Sequence, residues 1–222
     1  GRSVWKSAMP LPVFFIPLIK FNFVLPAMAE LDHIRTNLRG IHVRADSAGA
    51  MIFSTDGNVM LAANCPGMCV NPSPFSLTIL PSTGMRRACR VKNRKRHLDD
   101  RILEINTEDQ TWRILSKAGE AETSAHRVHV VEGQTQDLLG RLRQQKHPFG
   151  TAIPPVSTET LAIITRAGKV IHSAVSLSGS GFDPGSPVVV NFSQSDYLGL
   201  IMPIHPSPSP ECAELAEWFR RE

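Results

Sequence analysis

The sequence predicts a mainly β fold of antiparallel strands closed into a barrel, with two or three short helices; a β-sandwich is the alternative arrangement. Three observations predict it. Short apolar or β-branched runs recur between turn signals, at 50–54, 59–63, 111–115, 126–131, 187–192 and 197–202, as half-buried strands require. Seventeen Pro and 15 Gly punctuate a chain of 222 residues that is only 6% aromatic, a composition that favours turns over long helices. Between the first two runs, Asp56 and Gly57 supply the positive backbone angles of a tight hairpin.

Residues 1–29 read as an apolar, Pro-rich N-terminal extension or a signal-like segment. Residues 8–29 have the hydrophobicity of a membrane span, but they contain four prolines and Lys20. An interior Pro costs a helix about 3 kcal/mol and a central Lys adds roughly 2.5–3.5 kcal/mol to insertion, so no span is expected. Arg2 and Lys6 precede the apolar stretch Val13 to Ile19, and Ala27, Met28 and Ala29 follow it in the order of a cleavable signal. The compartment is read as cytoplasmic, or as secreted if 1–29 act as a signal peptide.

Residues 30–205 read as one β-rich domain. It opens with a short helix carrying Leu31, Ile34 and Leu38 and stopped by Gly40. After the hairpin, residues 64–100 read as a long basic insertion, Pro-, Asn- and Ser-rich at first. Strands resume at 101–105, 111–115 and 126–131, and a helix is expected between Gln134 and His147 on Leu138, Leu139 and Leu142. Residues 160–177 read as a second hairpin, turning at Ala167 and Gly168, before strands at 187–192 and 197–202. A C-terminal helix over 206–222 has Ser209 as N-cap, Pro210 in its first turn and Leu215, Trp218 and Phe219 on one face.

The net charge of +4 is concentrated in residues 86–101, where eight Lys and Arg oppose Asp99 and Asp100. Such a run can neutralise phosphates or act as a nuclear import signal. A solvated basic loop is the simpler reading, and with no aromatic residue between Gly84 and Arg101 there is no platform for base stacking. Nucleic acid is therefore not expected as a partner.

Cys65, Cys69, Cys89 and His97 are too unevenly spaced for a structural zinc site, and His126 and His129 would point to opposite faces of a strand. The glycines around Ser180 match neither a phosphate loop nor a hydrolase elbow. No metal or cofactor is expected. His172 is the polar residue of interest: alternating with Val170 and Ala174 on a strand, it would point into a barrel cavity, there to orient a ligand or exchange a proton.

Two segments together resemble the lipocalin-like domain family. Gly49 to Ala63, followed by Pro66, Gly67, Pro74 and Phe75, is similar to the early hairpin of those domains. Gly168 to Leu177, Gly185, the strand to Phe192 and Tyr197 to Pro203 are similar to their closing strands; together these cover about 60 of the 222 residues. The resemblance implies a calycin-type barrel with an apolar cavity. The expected function is binding of a small apolar molecule, with His172 in the cavity and Phe53, Met60 and Trp112 in its wall. A small-molecule isomerase or cyclase using His172 is the enzymatic alternative. Val175 to Phe192 also resembles the strand-turn-strand of immunoglobulin-like extracellular modules, which implies a sandwich and an interaction role.

Overall fold

The computed structural model describes residues 13–29, 33–34, 38–46, 49–68, 74–90, 100–132, 156–179 and 187–202. Within the apolar stretch, residues 13–24 pack into the core. Strand β1 (Val13–Pro17) buries Phe14 and Ile16 and runs directly into helix α1 (Leu18–Val24), which buries Leu18, Ile19, Lys20, Phe21, Phe23 and Val24. Pro17 stands at the helix start and Pro26 in the 3₁₀ turn Leu25–Ala27, where an intrahelical donor is not needed. The Leu18 N–H, which the helix cannot satisfy, donates to the Arg101 carbonyl at 2.9 Å.

Strands β2 (Ile41–Asp46), β3 (Gly49–Thr55) and β4 (Val59–Asn64) form an antiparallel meander. Its hairpin turns at Asp56, whose carboxylate accepts the N–H groups of Asn58 and Val59 at 2.8 Å, and at Gly57, with φ of 97°. Inside the stretch expected to be an insertion, β5 (Phe75–Leu80) and α2 (Thr83–Ala88) form, the helix capped by the Ser82 hydroxyl accepting the Met85 N–H. Strands β6 (Ile102–Asn106), β7 (Thr111–Leu115), β8 (His126–Arg127) and β9 (His129–Glu132) follow. Helix α3 (Thr158–Val170) then leads into β10 (Val175–Ser178), β11 (Val188–Phe192) and β12 (Tyr197–Ile201).

These strands make two antiparallel sheets, one of four in the order β1-β6-β7-β8 and one of eight in the order β10-β11-β12-β4-β3-β2-β5-β9. The order strand, helix, three strands occurs as β1-α1-β2-β3-β4 and again as β5-α2-β6-β7-β8, and the two units exchange their first strands. β1 pairs with β6 of the second unit, and β5 pairs with β2 of the first. This exchange is why no barrel closes: each first strand extends the sheet of the other unit, and the described sheets stay open. The mainly β, antiparallel expectation holds; closure does not. One apolar cluster joins the sheets, with Phe14, Leu103, Ile105 and Ile114 from the smaller and Ile41, Val43, Ile52 and Leu61 from the larger.

Residues 158–170 are a helix where a hairpin is expected. The Ser157 hydroxyl accepts the Thr160 N–H at 3.1 Å and Glu159 lies in the first turn, both favourable to a helix start. Thr160, Ile164, Ala167, Gly168 and Ile171 are buried, a spacing of three and four that one helical face supplies. The helices expected over 134–147 and 206–222 lie outside the described residues, as does most of that expected over 30–39.

Candidate nucleic-acid interface

The described part of the basic run starts on α2. Met85 is buried and anchors the helix, Arg87 and Arg90 are exposed, and Arg86 is half-buried. The buried Nε of Arg86 has no hydrogen-bond partner among the described residues. The helix end is fixed from below, because Asn22 of α1 donates to the carbonyl of Cys89 at 2.6 Å. Arg101 serves the fold: it donates to the Arg90 carbonyl at 3.1 Å and lies 3.6 Å from Glu122. Lys117 pairs with Asp100 at 3.1 Å on the surface. Residues 91–99 of the run are outside the described residues.

A second cationic surface lies on α3. Arg166 and Lys169 are exposed on one face, and His172 follows in the turn after the helix. Thr165, Gly168, Lys169, His172, Ser173 and Val175 line a depression of about 490 Å³ there.

The four residues expected to share a cavity are in three places. Trp112 is a core residue of the four-stranded sheet with its ring 5.0 Å from that of His126. Phe53 and Met60 are together, but in a small cluster with Ala62 and Leu200, apart from the main core. His172 is exposed at the end of α3, with a φ of 51° that no strand residue has. The expected alternation fails because Val170 is the last helical residue, not a strand position. Lys169, Arg166 and the depression beside them were missed for the same reason; the Ser157-to-Thr160 capping pattern was the available signal.

Neither described cysteine has the chemistry of a nucleophile. Cys65 and Cys89 are free and buried, and burial pushes each thiol up to about 12. Among the described residues no three His, Cys, Asp or Glu side chains gather as a metal site, and no helix is long and apolar enough to cross a membrane. Cys69 and His97 lie outside the described residues.

By sequence, no family model and no curated protein matches the chain. By structure, it is similar to the DNA polymerase III subunit beta of Pseudomonas aeruginosa, with a TM-score of 0.57 at 15% identity over 91% of this chain and 68% of that one. The fold is sliding-clamp-like. The beta chain of Streptococcus pneumoniae gives a TM-score of 0.57 at 14% identity, covering 93% of this chain and 67% of that one. That of Thermotoga maritima gives 0.55 at 8% identity, covering 87% and 65%. The chain thus spans about two thirds of the length of these clamp subunits.

This likeness overturns the lipocalin-like resemblance, which rested on a hairpin and closing strands that the structure uses in open sheets. The small apolar ligand, and the isomerase and immunoglobulin-like alternatives, fall with it: the expected wall residues do not surround one cavity, and the structural neighbours are beta subunits of DNA polymerase III. The expectation that nucleic acid is no partner is corrected on the same finding. It treated the basic run as an isolated loop, whereas residues 86–88 of it belong to a helix held against α1 through Asn22 and Cys89.

Proposed function

We propose that the protein is a sliding-clamp-like factor of DNA replication that holds duplex DNA through its phosphate backbone. The observation that carries the reading is the likeness to clamp subunits across nine-tenths of the chain, at TM-scores up to 0.57. The exposed Arg87 and Arg90 supply the charge. Contacts of this kind read no sequence, and their delocalised character lets a protein move along the duplex. The lack of aromatic residues in the run agrees with a phosphate grip and not with base stacking.

The test is duplex binding against salt, by fluorescence anisotropy with a labelled oligonucleotide. The wild type should bind at low salt, with affinity falling steeply as salt rises; each phosphate contact contributes about 0.9 to the log–log slope. Replacing Arg87 and Arg90 by Ala should lower that slope by about 2. Retention on circular DNA and loss from the linear form would identify a clamp that slides off open ends. No duplex binding at low salt would overturn the reading.

A further inference from the structure

We propose that the C-terminal end of α3 is a second contact for the nucleic-acid backbone, a phosphate site in which the ammonium of Lys169 and a ring N–H of His172 are the donors. It rests on the reading of function above and adds a location distinct from α2.

The first observation is the depression itself. Lys169 and His172 flank it, no carboxylate among the described residues lines it, and Arg166 stands one turn earlier on the exposed face of the helix. Neither the ammonium of Lys169 nor the ring of His172 has a hydrogen bond or ion pair to a described residue. The hydroxyls of Thr165 and Ser173 are already committed, Thr165 to the Leu161 carbonyl and Ser173 to that of Ala174, both at 2.8 Å. They shape the wall and leave the two nitrogen groups as donors.

The second observation is the backbone of His172. Among the described residues only Gln110 and His172 combine a side chain with a positive φ, 49° and 51°. His172 follows the C-cap residue Ile171, the position at which helices customarily carry Gly because a Cβ is crowded in the left-handed region. The imidazole thus stands exposed at a sparsely populated backbone angle, the kind of position that clusters at binding sites.

The carbonyls at a helix C-terminus ordinarily repel an anion. Here three of them are engaged. The Gly168 carbonyl accepts from Ser173 N–H at 3.0 Å, that of Lys169 from His172 N–H at 3.5 Å, and that of Ile171 from the Gln194 amide at 3.0 Å. The cations of Lys169 and Arg166 then set the local field.

His172→Gly separates a structural from a binding role, because Gly suits this backbone angle better than His. In the full chain the variant should raise Tm and weaken duplex binding by about 3- to 10-fold, and Lys169→Ala should lower the salt slope by about 1. Inorganic phosphate, titrated as competitor at constant ionic strength, should not displace the duplex at low millimolar levels. Displacement there would mark a small-anion pocket and overturn the nucleic-acid assignment. Unchanged duplex affinity in both variants, with the wild type bound, would overturn the site and leave the proposed function standing; a wild type that binds no duplex would overturn both.

Discussion

Lys20 shows what one residue can decide. In the sequence it is a charge inside an apolar segment, and it counts against a membrane span. In the fold it is the buried tie between α1 and the turn that joins β11 to β12. Its ammonium donates to the Asn64 carbonyl and to Asp196 at 3.0 Å and lies 5.8 Å from the centre of the Tyr197 ring. Cys65 and Tyr197 share these surroundings. Burial, together with the Asp196 carboxylate, pushes the Tyr197 phenol up to about 12, and burial takes Cys65 and, elsewhere, Cys89 to about the same value. In an unfolded chain these thiols lose their protons near 9 and the phenol near 10. The folded chain thus holds protons that the unfolded chain has released. Its stability is whole below about pH 9 and declines as pH rises towards about 12. The urea midpoint should therefore fall steadily above about pH 9, and iodoacetamide should label Cys65 and Cys89 at neutral pH only after denaturation. Prompt labelling of the native chain would show that these thiols are not buried.

At the scale of elements, legibility followed the strength of the local signal. The β3–β4 hairpin was plain because Asp56 and Gly57 both fix its turn and no packing choice competes. The strands β6, β7, β11 and β12 also lie where their alternating runs predicted them. Helix α3 was misread because Ile163, Ile164 and Thr165 are β-branched, and their strand preference masks the helical spacing of the buried residues. Tertiary packing decides the matter: Ile164 lies under β12, in contact with the place of Gly199. A Cβ at Gly199 would stand 2.9 Å from the Cβ of Val190, its partner on β11, and 3.4 Å from the Ile164 side chain. Real Cβ atoms do not approach so closely, so Gly199→Ala must push β11 or α3 aside. A loss of about 1–3 kcal/mol in urea denaturation is expected, the usual cost of overfilling a packed interior. Gly84→Ala, whose added Cβ would meet only the Ser82 hydroxyl at 3.8 Å, should be close to neutral in the same assay.

For the whole molecule, local patterns gave the strands but not their partners. Nothing in Phe14 or Ile16 announces that β1 pairs with β6, some ninety residues away in sequence, and apolar strands that meander into a barrel have the same alternation as strands that divide between two sheets. The exchange of first strands is a property of the complete chain, and it has a consequence for stability. Because β1 and α1 are continuous, and β1 belongs to the small sheet while α1 packs on the large one, the main core is common to both sheets. Phe23 of α1 takes part in this shared core from the other side, edge-on to Phe192 at 4.9 Å and against Tyr197 at 4.6 Å. Phe23→Ala should cost about 3–5 kcal/mol, as expected for a large buried aromatic. If the sheets unfold as one unit, amide exchange at Ile105 and Ile114 in the small sheet should accelerate by the same factor as at Val190 and Ile201 in the large one. Acceleration confined to β11 and β12 would mean that β10, β11 and β12 open by themselves, and the shared core would then hold only the two strand-exchanging units together.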